Sequence, residues 1–151
     1  MIKEMPYYKK CYVCGRDNPQ GLRQKFNFDT ETQEVFTYWT PHHHHVGYEN
    51  IVHGGLFLTF LDEVMAWAAI RDTKQPCLTV KMEIEFLKKA PYGKKYYIGG
   101  KVIKKRKRLV FTESYVKDED GEIYYKSKAT YIVVKDEKFL DKFEGDLPEE
   151  E

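Results

Sequence analysis

The sequence predicts an α+β fold in which one long buried helix precedes an antiparallel sheet that wraps against it. Two observations carry that expectation. Residues 56–70, LFLTFLDEVMAWAAI, contain only two charges and no Gly or Pro. Phe57, Leu61, Val64 and Ala68 mark one helical face, while Phe60, Met65 and Trp67 make the remaining faces apolar. A helix apolar all round is one enclosed by protein. After Pro76, every segment alternates or is rich in β-formers, and turn residues separate the segments.

Taken in order, the first 21 residues are dense in turn formers and are expected to be irregular. Residues 22–28 alternate in part and are expected to make a first strand, and 34–39 a second. A loop at 41–50 carries four consecutive histidines, 42 to 45. His53-Gly54-Gly55 precedes the helix. Strands are expected at 77–87, 95–104, 109–116 and 122–134, joined as a meander. Asp118-Glu-Asp-Gly121 is a strong turn signal, because Asp-Gly tolerates the positive φ of tight hairpins. Residues 1–145 are expected to form one domain, and the acidic tail 146–151 to fray.

Composition excludes several function classes. Apolar residues make up 42% and aromatics 15%, too many for a disordered chain. Lys plus Arg number 25 against 24 Asp plus Glu, a balance that argues against a dedicated nucleic-acid binder. No apolar run approaches a membrane span, and the first ten residues lack the apolar core of a secretory signal. Three cysteines do not make a disulfide framework, which favours a reducing, cytoplasmic setting.

Asp62 and Glu63 are the only charges in the apolar helical run. Ionised carboxylates are costly away from water unless paired or hydrogen-bonded, so such groups mark candidate sites. Adjacent helical residues point about 100° apart, so the two acids serve different surroundings. His53-Gly54-Gly55 stands where the first amides of a helix have no partner within it, and glycine lets an oxygen approach them closely. The element is suited to an oxyanion hole, or to a tight turn.

Val52-His53-Gly54-Gly55, then Asp62-Glu63, then a strand region with Asp120-Gly121-Glu122 resemble the hotdog-fold acyl-CoA thioesterases, in particular the group of phenylacetate-pathway thioesterases and thioesterase superfamily members. The likeness runs from about Cys11 to Val134, since Cys-x-x-Cys-Gly and Asn-Pro-x-Gly-Leu openings also occur in that group. It implies a hotdog fold, a curved antiparallel sheet around a central helix, and hydrolysis of an acyl-CoA thioester to free acid and CoA without a cofactor. By the resemblance, Asp62 is the base or nucleophile and Gly54, with Gly55 as a second candidate, the oxyanion donor. His53 positions the site, and Thr79 holds the acid or its water. Some relatives carry an Asn six residues before the histidine; Gly47 stands there, leaving Asn50 or His45 as substitutes. The implied partner is acyl-CoA, with no nucleic acid and no membrane. A non-catalytic acyl-CoA or acyl-ligand binding protein of the same fold is the alternative.

Gly54 and Asp62 are eight helical steps apart, about 12 Å. A nucleophile and an oxyanion donor must both reach one reacting group within about 3 Å. One helix cannot do this, so the expectation is a dimer, or a tetramer, in which Asp62 faces Gly54 of a second copy. Lys105, Arg106, Lys107 and Arg108, with Lys104, crowd one turn and are candidates for CoA phosphates, or else a solvated turn. Cys11-x-x-Cys14 is half of a zinc site whose other ligands the sequence does not reveal. The run His42 to His45 is expected to be a solvated or interface loop, and no metal site is expected.

Overall fold

The structure, a computed structural model, describes residues 1–149. A seven-stranded antiparallel sheet packs against one long helix. The strands are β1 (Ile2–Glu4), β2 (Asn27–Asp29), β3 (Glu34–Trp39), β4 (Cys77–Phe86), β5 (Tyr96–Arg106), β6 (Leu109–Lys117) and β7 (Ile123–Val133). Helix α1 (Gly54–Thr73) lies between β3 and β4 in the chain. The expected α+β architecture is therefore present, and the strands from β3 onward fall within two residues of their expected bounds.

Helix α1 is enclosed as its composition requires. Of its twenty residues only Gly55 is exposed. Phe57, Phe60, Leu61, Val64, Met65 and Ala69 are fully buried. The Phe60 ring stacks at a tilt on Trp39, 4.4 Å between centroids, and Phe57 packs between Trp39, Tyr96 and Tyr125. Gly100 on β5 lets the helix approach the sheet, because a Cβ there would lie 3.0 Å from Val64 Cγ2. The helix ends at Lys74, which turns into the left-handed region with φ 57° and donates its amide to the Ile70 carbonyl at 2.7 Å.

Four expectations need correction. The sheet order is β1-β2-β3-β5-β6-β7-β4, so of the four strands expected to form a meander only β5 to β7 do. Strand β4 crosses to the far edge and pairs with β7. Its link to β5, residues 87–95, is longer than a tight hairpin and contains Pro91. That link instead packs back on the segments flanking the histidine loop, where Val52 donates to the Ala90 carbonyl at 2.8 Å and Gly93 to Pro41 at 2.9 Å. At the amino end, Ile2–Glu4 is a strand rather than irregular chain, paired with β2. Residues 22–26 are not part of β2, because Leu22 and Gln24 donate their amides to the carbonyls of Tyr12 and Val13. Finally, the tail does not fray throughout: Leu147 packs on the core and Pro148 is buried. Residues 150 and 151 lie outside the described residues.

The turn after β6 is locked by Asp118, which is buried. Its Oδ1 accepts from the amides of Asp120 and Glu122, both at 3.0 Å. Its Oδ2 accepts from Lys94 at 3.1 Å and from the Tyr124 hydroxyl at 3.0 Å. Burial by itself would raise this carboxyl, but Lys94, the two amides and Tyr124 together hold it down at about 2.

Two measurements follow from this packing. Phe60→Ala is expected to lower the unfolding free energy by about 3–5 kcal/mol, read from urea denaturation, because the vacated space lies between Trp39 and the helix. Asp118 has a folded pKa below its unfolded value, so its stabilisation is complete above about pH 4 and is lost as pH falls toward 2. Asp118→Asn is expected to flatten that acid limb in a plot of melting temperature against pH, and an unaltered limb would show that the turn is not its source.

Candidate active site

Asp62 is the ninth residue of α1, half-buried, with its carboxylate turned toward β4 and β7. Thr79 donates its hydroxyl to Asp62 Oδ1 at 2.9 Å. The Tyr131 hydroxyl reaches the same oxygen at 2.6 Å and the Asp62 carbonyl at 3.0 Å, so its single proton serves the closer acceptor. Thr79 and Tyr131 are directly paired across β4 and β7, which makes their two hydroxyls converge. A bulge follows Thr79 in β4, a device that re-aims strand side chains. Tyr131 is fully buried; that burial, followed by the charge of Asp62, pushes its phenol well above the ordinary tyrosine range, so it stays a donor. Among the described residues no hydrogen bond reaches Oδ2, so that oxygen has no protein partner.

At the other end of the motif, His53 caps the helix. Its Nδ1 accepts from the Gly55 amide at 3.0 Å, and its carbonyl accepts from the Leu56 amide at 3.0 Å. Gly54 is then the first helical residue whose amide has no acceptor among the described residues. Of the two glycines, Gly55 already has an acceptor for its amide and Gly54 does not. A Cβ on Gly54 would lie 2.7 Å from Cε2 of Phe86, so glycine is what allows that ring to lie over the helix start. A cleft of about 670 Å³ opens here, lined by Gly54, Tyr48, Phe86, Lys88, Lys89 and Tyr125 among others. Lys88 is paired with Glu122, whereas Lys89 has no ion pair among the described residues.

The candidate substitutes for the missing asparagine have local duties. His45 Nδ1 accepts from the His42 amide at 2.8 Å, its carbonyl accepts from the His53 amide at 2.8 Å, and its ring rests on Trp39. Asn50 is exposed at a turn position with φ 61°, a conformation asparagine tolerates. Neither lines the cleft beside Gly54.

Glu63 faces away from Asp62, as adjacent helical positions must. Its Oε2 accepts from Trp67 Nε1 at 3.0 Å and lies 3.6 Å from the Cys11 sulfur. Burial, and then the charge on Cys11, raise its carboxyl to about 8. Cys11, Cys14 and Glu63 bring their ligand atoms within 4.8 Å of one another.

The basic turn lies elsewhere. Strand β5 runs to Arg106, Lys107 occupies the turn with φ 58°, and Arg108 donates to the Val133 carbonyl. Lys105 Nζ lies 2.7 Å from Asp72 Oδ2, an ion pair by distance without hydrogen-bond alignment. Asp72 is eighteen residues along α1 from Gly54, about 27 Å at 1.5 Å per residue. Lys105, Arg106, Lys107 and Arg108 are thus not brought to the Gly54 cleft of their own chain.

The family model described as the thioesterase superfamily matches residues 49–125, half of the chain, including the histidine–glycine element, the helix and β4 to β6. The chain belongs to the thioesterase superfamily. Among solved structures, a thioesterase superfamily protein superposes with a TM-score of 0.74 at 18% identity, covering 82% of this chain and 60% of that one. The chain thus spans about 60% of that relative's length. Zebra fish thioesterase superfamily member 2 gives 0.63 at 20% identity, covering 67% and 75%. A hypothetical thioesterase from Streptococcus pneumoniae, solved with coenzyme A, gives 0.62 at 17% identity, covering 67% and 81%. No curated protein matches the sequence. These likenesses establish the hotdog fold that the motifs implied.

Within this thioesterase-family fold, Tyr131 is the candidate-site residue, by its bond to Asp62, that sequence reasoning did not single out. The available signal was weak: a tyrosine at an inward strand position must place its hydroxyl somewhere, but the acceptor is fixed by strand register. No helix among the described residues is long and apolar enough to cross a membrane.

Because His53 supplies the helix cap, His53→Ala is expected to cost about 1 kcal/mol of stability, and His53→Asn to restore most of it, as measured by chemical denaturation. Equal stability of the alanine variant and the native protein would remove the capping role.

Proposed function

We propose that the protein hydrolyses an acyl-CoA thioester, with Asp62 as general base or nucleophile and Gly54 as oxyanion donor. The observation that carries this reading is the carboxylate of Asp62, held at one oxygen by Thr79 and Tyr131 while the other is left without a protein partner. Two hydroxyl donors fix the carboxylate's orientation, so that its second oxygen is presented to an attacking water. With Asp62 as base, it takes a proton from water as the water oxygen bonds to the thioester carbon. The carbonyl oxygen gains the negative charge, and the Gly54 amide at the helix amino end stabilises it. Collapse of the tetrahedral species breaks the carbon–sulfur bond, and the departing thiolate of CoA receives the proton.

Since Gly54 and Asp62 stand about 12 Å apart on one helix, the oxyanion donor for each Asp62 comes from a second copy. The β4 edge supports such pairing. It is the last strand of the sheet, and Leu78, Val80 and Phe86 are exposed along it beside Thr79. An apolar edge strand of this kind calls for a covering partner. Lys89, at the cleft next to Gly54, is better placed for a CoA phosphate than the basic turn is.

Asp62→Asn is expected to abolish release of CoA from a panel of short, medium, long and aromatic acyl-CoAs while the chain stays folded and associated. Tyr131→Phe is expected to reduce turnover about tenfold or more, the worth of a hydrogen bond to a charged group. Co-refolding Asp62→Asn chains with inactive Gly54→Val chains is expected to regain part of the activity, since one of the two composite sites is then intact. Full turnover by Asp62→Asn would refute the assignment, and native protein inert toward every thioester would favour a binding role.

A further inference from the structure

We propose that Cys11, Cys14 and Glu63 form a binding site for a divalent metal of the zinc class, separate from the Asp62 site and independent of the reaction assigned to it. Residues 11–14 and residue 63 are far apart in sequence, yet two sulfurs and one carboxylate oxygen converge within 4.8 Å. Zinc binds sulfur at about 2.3 Å and carboxylate oxygen at about 2.1 Å, so neighbouring ligands of a tetrahedral ion stand about 3.6 Å apart for an S,O pair. Cys11 Sγ and Glu63 Oε2 are 3.6 Å apart.

The backbone is built around the cluster. Gly15 donates its amide to the Cys11 carbonyl at 2.9 Å, and a Cβ at Gly15 would lie 2.4 Å from that oxygen, so the tight turn after Cys14 admits only glycine. Cys14 is buried, and the amides of Leu22 and Gln24 bond the carbonyls of Tyr12 and Val13, which clamps the turn onto the following segment. On the helix side, Trp67 Nε1 donates to Glu63 Oε2 and sets its direction, as partners behind metal ligands do. No Lys, Arg or His among the described residues pairs with Glu63. A carboxylate with two thiols and no organic cation is a donor set that a borderline-soft metal satisfies. A groove of about 660 Å³ touching Cys11, Cys14 and Glu63, with Tyr8, Pro76 and Phe143 on its walls, supplies an entry path and room for a fourth ligand.

The site would pin the amino-terminal segment to α1 at the residue adjoining Asp62. The test uses the full chain, purified under reducing conditions without a metal-affinity step and then dialysed against zinc or cobalt. One zinc per chain is expected, and the cobalt form is expected to show sulfur-to-cobalt charge-transfer absorption. His42→Ala/His43→Ala/His44→Ala/His45→Ala should keep both signals. Glu63→Gln should weaken metal binding about tenfold or more. Native protein without charge-transfer absorption would overturn the proposal, and so would zinc uptake that vanishes with the four histidines. The cobalt spectrum of the native chain decides sulfur ligation even if Cys14→Ser fails to fold.

Discussion

The arrangement of Asp62, Thr79 and Tyr131 constrains the rest of this molecule. A carboxylate set into an apolar helix is tolerated only where donors meet it, and here both come from the sheet. Their convergence requires β4 to lie against β7 in one register, with Thr79 opposite Tyr131. A slip of β4 by one residue would turn the Thr79 hydroxyl to the other face. Strand β4 must therefore cross to the far edge, and the 87–95 link, tied to Val52 and Pro41, is the route by which the chain returns to β5.

The same helix sets a second constraint. Its amino end carries the amide of Gly54, and its ninth residue carries the acid, on a rigid rod that keeps them about 12 Å apart. Internal packing holds that rod still, since Trp39, Phe57, Phe60, Tyr96 and Tyr125 interlock around it. The exposed apolar edge of β4 next to Thr79 is the surface on which the proposed second copy would complete the site.

Two adjacent acids on one helix have come to different environments. Asp62 meets hydroxyls and keeps one oxygen without a protein partner; Glu63 meets Trp67 and a cysteine pair. The 100° between successive residues separates two kinds of chemistry across a single peptide unit. The amino-terminal segment, irregular apart from β1, is part of the core, with Met5, Val13 and Cys14 buried against it.

Local pattern by itself determined the long enclosed helix, the bounds of β3 to β7, the His53-Gly54-Gly55 element at its start and the candidacy of the acid pair Asp62 and Glu63. Each of these depends on periodicity, composition or spacing within a few residues. Short β1 and β2 were poorly legible because three residues carry little periodicity. The order of the sheet, the partnering of Tyr131 with Asp62, the meeting of Glu63 with Cys11 and Cys14, and the placing of Lys105 beside Asp72, toward the far end of the helix from Gly54, were decided only by the tertiary structure. Contacts between residues tens of positions apart depend on strand register and on the path of the chain across the sheet, and neither leaves a trace in local sequence.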